Sequence, residues 1–222
     1  MTVLGQSRML RTTIDLADPP LVRLCQAFWY HRQARKLFPG YLMALYWSMQ
    51  ATVPLLRTAE QRARQLNYDP VAAQLVPYLA RHAREELHHD EWLLQDMEQH
   101  LGIKRTTVLN TPPPPAVAAL IGTQYFWILH AHPVALLGCF AVLEGKPVTA
   151  ADLDEFSKRT RIPKEGLRTL YKHAQLDPHH RDDLDRVLDT LPLAPDHATL
   201  LGLSAITVVE QLAGVFDALL NN

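Results

Sequence analysis

Residues 71–100 read VAAQLVPYLARHAREELHHDEWLLQDMEQH, and the spacing of their apolar positions decides the fold. At about 100° per residue, Leu75, Leu79, Leu93 and Met97 fall on one stripe of one long helix. Glu86 sits at the centre of that stripe and His82 and His89 on its shoulder, while Glu85 lies further off and His88 points away. An ionised carboxylate in a core-facing stripe is costly unless a countercharge neutralises it. The helix therefore carries a chemical question as well as a packing one.

The same periodicity extends in both directions. Pro19-Pro20 opens a first helix through AFWYHRQARKLF, expected to stop at Pro39-Gly40. A second runs from about Tyr41 towards Leu66 with a bend at Pro54, and a turn over 67–70 leads into the quoted helix. TTVLNTPPPP reads as a stiff surface connection. A fourth pattern over 116–143 is interrupted at His132-Pro133 and stops at Gly145. A short helix follows Thr149, Pro163 opens the next, and an apolar helix over about 198–220 closes the chain. Alternating strand patterns and Asn-Gly or Asp-Gly hairpin turns are missing. The reading is an all-α, single-domain bundle of about seven helices over residues 1–222.

Composition excludes several function classes. The net charge is −1 and the basic residues are scattered, so no electrostatic footprint for nucleic acid is expected. Cys25 and Cys139 have no paired spacing, which fits a reducing compartment and excludes a thiolate zinc site. The start, MTVLGQSRMLRTT, carries no secretory-signal pattern, and no stretch reads as an uninterrupted bilayer span. A cytoplasmic protein with no membrane partner is expected; a homodimer stays open.

Two further segments carry the chemistry. In YKHAQLDPHHRDDL, His173, Asp177 and His180 share one stripe with Leu170, Leu184, Val187 and Leu191, while His179 and Asp182 face outward. Burying those three donors without a metal would leave several polar groups unsatisfied. Glu144 ends the apolar run PVALLGCFAVLE, at a helix C-terminus whose dipole disfavours a carboxylate. On local grounds it either turns to solvent as Gly145 ends the helix or joins the other clusters. Three carboxylates and three imidazoles on apolar stripes are what a two-iron site between helices uses. His82 is left to a supporting position or the pocket lining, and Tyr46, Trp47, Phe126 and Trp127 to core or substrate pocket. Pro178 predicts a distorted stretch around 177–180.

A Glu/His helix, a Leu-Glu-Gly helix end and then H-x3-D-x2-H, in that order, resembles the heme-oxygenase-like diiron oxidases. These are relatives of thiaminase II-type and pyrroloquinoline-quinone-synthase proteins. The resemblance implies two Fe(II) ions held by Glu86, His89, Glu144, His173, Asp177 and His180, with O2 as co-substrate. It implies oxidation of a small carboxylate-bearing substrate in a biosynthetic pathway, by C–C cleavage, N-oxygenation or desaturation, with an external electron donor left open. Some members separate the first Glu and His by six residues, which would put His82 or Arg81 in the carboxylate's place here; Glu86 with His89 is kept. An amino acid is expected over a long-chain fatty acid, with Arg81 and Arg84 as candidates to approach its carboxylate. Two rival readings stand beside this one. A metal-independent thiaminase II-like hydrolase would use Cys139 as nucleophile near Glu144. A non-catalytic helical interaction protein would pair its buried polar groups internally, for example Glu86 with His173.

Overall fold

The computed structural model describes residues 5–221, which hold eleven α-helices, one 3-10 turn and no strand. The helices are α1 (Gln6–Ala17), α2 (Pro19–Trp29), α3 (Ala34–Gln65), α4 (Pro70–Glu85), α5 (His89–His100) and α6 (Arg105–Asn110). They continue as α7 (Pro115–His130), α8 (Ala135–Leu143), α9 (Ala150–Thr160), α10 (Arg168–Thr190) and α11 (Pro195–Leu220), with the 3-10 turn Lys164–Leu167 before α10. The all-α architecture agrees with the sequence, and the higher helix number has local causes.

The quoted helix is two helices. α4 ends at Glu85, and α5 begins at His89 after His88 adopts left-handed backbone at φ +70°. No glycine or proline marks that break, so periodicity alone runs through it. α1 precedes the first helix expected; residues 1–4 of the MTVLGQSRMLRTT start lie outside the described residues. Conversely, the expected stop at Pro39-Gly40 is absent, because α3 continues through both Pro39 and Pro54. A proline inside a helix costs about 3 kcal/mol. Phe38, Leu42 and Tyr46, all buried, flank Pro39, and each such side chain contributes about 1.5–3 kcal/mol. Burial outweighs the break. α10 likewise stays helical through Pro178, against the expected distortion there, pinned by buried Leu170, Leu184 and Leu188.

Caps fix where the helices start. Asp69 accepts from the N–H groups of Val71 and Ala72 at 2.8 and 3.0 Å, and Pro70 pre-sets the first turn of α4. Thr149 and Asp152 form a capping box on α9. α10 is capped from another helix: buried Asp96 of α5 accepts from the Thr169 N–H at 2.7 Å and hydroxyl at 2.6 Å. Asp189 of α10 in turn accepts from the Ser7 N–H and hydroxyl at the start of α1, both at 2.9 Å.

Besides a small cluster of Ala44, Val117 and Val215, two large apolar cores result. One joins α1, the second half of α3, α4, α7, α8, α11 and the end of α10. The other joins α2, the first half of α3, α5, α9 and the start of α10. α11, expected as an apolar helix over about 198–220, is the one described helix whose length and mean hydropathy of 1.6 would suffice to cross a membrane, although no stretch of the sequence reads as an uninterrupted span. It packs on α8, α2, α1 and α7, as a core helix does.

Candidate metal centre

Five buried histidine and glutamate side chains gather between α4, α5, α8 and α10. His82 and Glu86 come from the last turn and C-cap of α4, His89 from the first turn of α5, Glu144 from the C-cap of α8, and His173, Asp177 and His180 from α10. His82, Glu86, His89, Glu144 and His180 are buried, and His173 and Asp177 are partly so. Glu85, His88, His179 and Asp182 are exposed, as their positions off the stripes imply.

Glu86 divides its two oxygens between two groups of donors. Oε1 lies 3.6 Å from His180 Nδ1 and 3.9 Å from His82 Nε2, and His82 Nε2 is 3.1 Å from Glu144 Oε1. These four residues place a donor atom each within 4.8 Å of one another. On the other side, His89 Nδ1 donates to Glu86 Oε2 at 3.0 Å. The His89 ring meets the His173 ring edge-on at 4.9 Å, and His173 Nδ1 donates to Asp177 Oδ1 at 3.1 Å. The second group is thus two hydrogen-bonded pairs in ring contact.

Electrostatics and satisfaction tell the same story. Burial pushes the Glu144 carboxyl above its ordinary range, with His82 and His180 only partly offsetting it. Burial also acts against Glu86, but the His89 hydrogen bond and the nearby imidazoles hold it below. His82 and His173 are desolvated, yet Glu144 and Asp177 respectively hold them above the usual imidazole value. Even so, His82 Nε2, Glu144 Oε2, His173 Nε2 and His180 Nδ1 are buried with no hydrogen-bond partner. Three of these orphaned atoms belong to residues of the four-residue cluster and the fourth to His173 in the second group; a bound cation would satisfy such atoms, and imidazole with carboxylate suits iron. The residues fit a metal.

The remaining candidates fall elsewhere. Tyr46 is buried in the second core beside Trp47, whose indole N–H is unpartnered. Phe126 is 56% exposed and packs on Trp127 and His130 along α7. Arg81 is engaged with Asp183 and Glu85, and Arg84 is exposed. Cys139 is buried, and burial followed by the Glu144 charge pushes its thiol far up, which leaves little thiolate for a nucleophile. Glu86 pairs with His89, not with His173.

A second triad, Asp69, His132 and His197, also clusters within 4.8 Å. There His132 Nδ1 accepts from the Val134 N–H at 3.1 Å and His197 Nδ1 from the Ala194 N–H at 3.3 Å. Each ring therefore carries its proton on Nε2, and His132 Nε2–H donates to Asp69 at 3.1 Å. No lone pair is left there for a metal, and the triad reads as a clasp between helix starts.

An apolar cavity of about 580 Å³ is lined by none of the candidate donors but reaches the chain neighbours of Glu144. Trp29, Tyr41, Leu45, Leu120 and Phe216 line it, with Arg11, Asp18, Lys146 and Arg159 among the charged residues of its wall. Ala141, Val142, Leu143 and Gly145, the neighbours of Glu144 on both sides, form its inner wall.

Residues 78–202, more than half of the chain and every ligand candidate, match the family described as iron-containing redox enzymes of heme oxygenase-like type. The chain belongs to this family. No curated protein matches the sequence. Among solved structures, a domain of unknown function with a heme oxygenase-like fold from Shewanella denitrificans superposes at TM-score 0.79, with 16% identity over 99% of this chain and 94% of that one. A TenA homologue from Pseudomonas syringae gives 0.71, with 14% identity over 97% and 92%. Heme oxygenase-1 from the cyanobacterium Synechocystis, in complex with heme, gives 0.70, with 15% identity over 99% and 94%. At such identities the superpositions establish a shared heme oxygenase-like fold. The iron-containing redox family agrees with the resemblance carried by the sequence motifs.

Proposed function

We propose that this iron-containing redox family member holds two ferrous ions and uses O2 to oxidise a small carboxylate-bearing molecule, an amino acid with an aromatic or long apolar side chain. The observation that carries the reading is Glu86, whose Oε1 faces His180 and His82 while its Oε2 faces His89, which is in turn in ring contact with His173. His180 and Glu144 would hold one ion, His89, His173 and Asp177 the other, with Glu86 between them. Bound there, the ions supply O2 reduction and, against three carboxylates, one net positive charge that favours an anionic substrate.

The chain's own residues do the rest. Phe140, packed on His82 at a ring distance of 4.8 Å, and Trp92, stacked on His89 at 4.2 Å, wall the donors off from water. Asp96 and Arg11 hold the start and later turns of α10 in register, which orients its three donors. Trp29, Tyr41, Phe156 and Phe216 offer a flat apolar side chain an aromatic surface, which supports the substrate class. The unpaired Cys25 and Cys139 support a reducing, cytoplasmic setting, and an external donor would supply electrons the substrate does not.

The test is anaerobic loading with Fe(II), metal analysis, and oxygen uptake with aromatic amino acids, aliphatic amino acids and fatty acids. The expected outcome is two irons per chain and uptake with the aromatic or long aliphatic amino acids, lost in Glu144→Ala and His173→Ala. Iron at trace level, or variants that turn over like the parent, would overturn the proposal. Uptake confined to fatty acids would overturn the substrate class alone.

A further inference from the structure

His82 faces the same point as Glu86, Glu144 and His180, four residues before Glu86 and so on the same side of α4. Its side chain is 2% exposed and held on three sides by rings: Phe140 and His180 at 4.8 Å, and Tyr78 edge-on at 5.5 Å. Nε2 lies 3.1 Å from Glu144 Oε1 and 3.9 Å from Glu86 Oε1, an ion-pair contact with Glu144 whose angle falls short of a well-formed hydrogen bond. An imidazole fixed by packing, with a buried nitrogen near two carboxylates and short of a well-formed hydrogen bond, is poor structure and good ligation.

Counting donors sharpens this. Without His82, one side of Glu86 offers a single imidazole, His180, with Glu144. The other offers two, His89 and His173, with Asp177. With His82 both sides present two imidazoles, one carboxylate of their own and one oxygen of Glu86. The two sets become equal.

We infer that His82 is a seventh protein ligand, completing the ion site formed by Glu86, Glu144 and His180. The inference rests on the two-ion reading above and adds a residue to it. With four protein donors on each side, burial distinguishes the two: the side chains of His82, His180 and Glu144 are 2%, 5% and 9% exposed, whereas His173 and Asp177 on the other side keep 18% and 14%.

The experiment uses the full chain, stripped of metal and titrated anaerobically with Fe(II), and separately with Co(II) as a spectroscopic probe. His82→Ala and His82→Gln are compared with the parent and with His179→Ala, an exposed histidine on the outer face of α10. The parent and His179→Ala are expected to take up two ions. In both His82 variants one of the two binding steps should weaken at least about 100-fold, with a changed Co(II) absorption band. Added imidazole should restore that step in His82→Ala, which has room for it, and not in His82→Gln. His82→Gln keeps most of the side-chain volume, so an unfolding midpoint near the parent's separates lost ligation from lost fold. Two ions bound with parental affinity by folded His82→Gln and His82→Ala would overturn this inference and leave the two-ion reading standing. A parent that binds no ion overturns both.

Discussion

Glu86 and His88 show how much a single side chain decides. Glu86 is shared between two donor sets, so Glu86→Gln, which keeps the shape and removes the charge, is expected to weaken both ion-binding steps. Glu144→Gln should weaken only one. Anaerobic titration with metal analysis distinguishes them, and equal behaviour of the two variants would contradict a shared Glu86. His88 holds φ at +70°, a conformation in which a β-branched side chain is strained by about 1–2 kcal/mol. Its side chain is exposed, so His88→Val should lower stability to chemical denaturation by about 1 kcal/mol. His88→Gly should stay near the parent. A His88→Val variant as stable as the parent would remove the strained turn as the reason α4 and α5 separate. Burial ranks in this region were legible in the sequence, because the stripe that placed Glu86 and His89 inside and Glu85 and His88 outside depends only on periodicity. The break between them was not, since a left-handed histidine leaves no compositional mark.

At the scale of elements, α8 and α10 bring their donors to Glu86 through contacts far along the chain. A methyl group at Gly138 would run into the Leu201 carbonyl oxygen of α11, where backbone cannot easily move aside. Gly138→Ala should therefore cost about 2–3 kcal/mol and displace Glu144, read as a lower unfolding midpoint together with weaker metal uptake. The clasp of Asp69, His132 and His197 ties the starts of α4, α8 and α11 in another way. Burial holds His132 below the ordinary imidazole value, with Asp69 only partly opposing it. The folded chain then keeps His132 neutral where the unfolded chain, near pH 6.5, takes up a proton. Its contribution to stability is complete above that pH and is lost as pH falls. Since His82 and His173 shift the opposite way, the measurement is the difference in stability between parent and His132→Ala from pH 8 to 5. That difference should shrink on acidification; a constant difference would show that His132 does not titrate with folding. Such long-range caps, like Asp96 on Thr169, were illegible because the sequence names a good capping residue without naming the helix it will cap.

Over the whole molecule, the two halves of the proposed chemistry stand on different helices. The donors come from α4, α5, α8 and α10, whereas α1, α2, α3, α7, α9 and α11 wall the cavity, and α8 alone contributes to both. The family match over residues 78–202 spans every donor and omits α1, α2, α3 and much of α11. This division explains why the candidate donors could be picked out from three short motifs while the pocket lining could not. Each donor is a rare residue type on an apolar stripe, but an aromatic side chain on such a stripe looks the same in a core as in a cavity wall. The division also makes a prediction. Val22 of α2 lines the cavity and is partly buried, on a helix that carries no donor. Val22→Trp should fill part of the about 580 Å³ while leaving every donor in place. The variant is expected to bind two irons with parental affinity and to lose oxygen uptake, or raise its KM at least about tenfold, with the largest substrates affected most. Loss of iron in this variant would mean that cavity and centre form one packing unit, and unchanged kinetics would mean that substrate reaches the donors by another route.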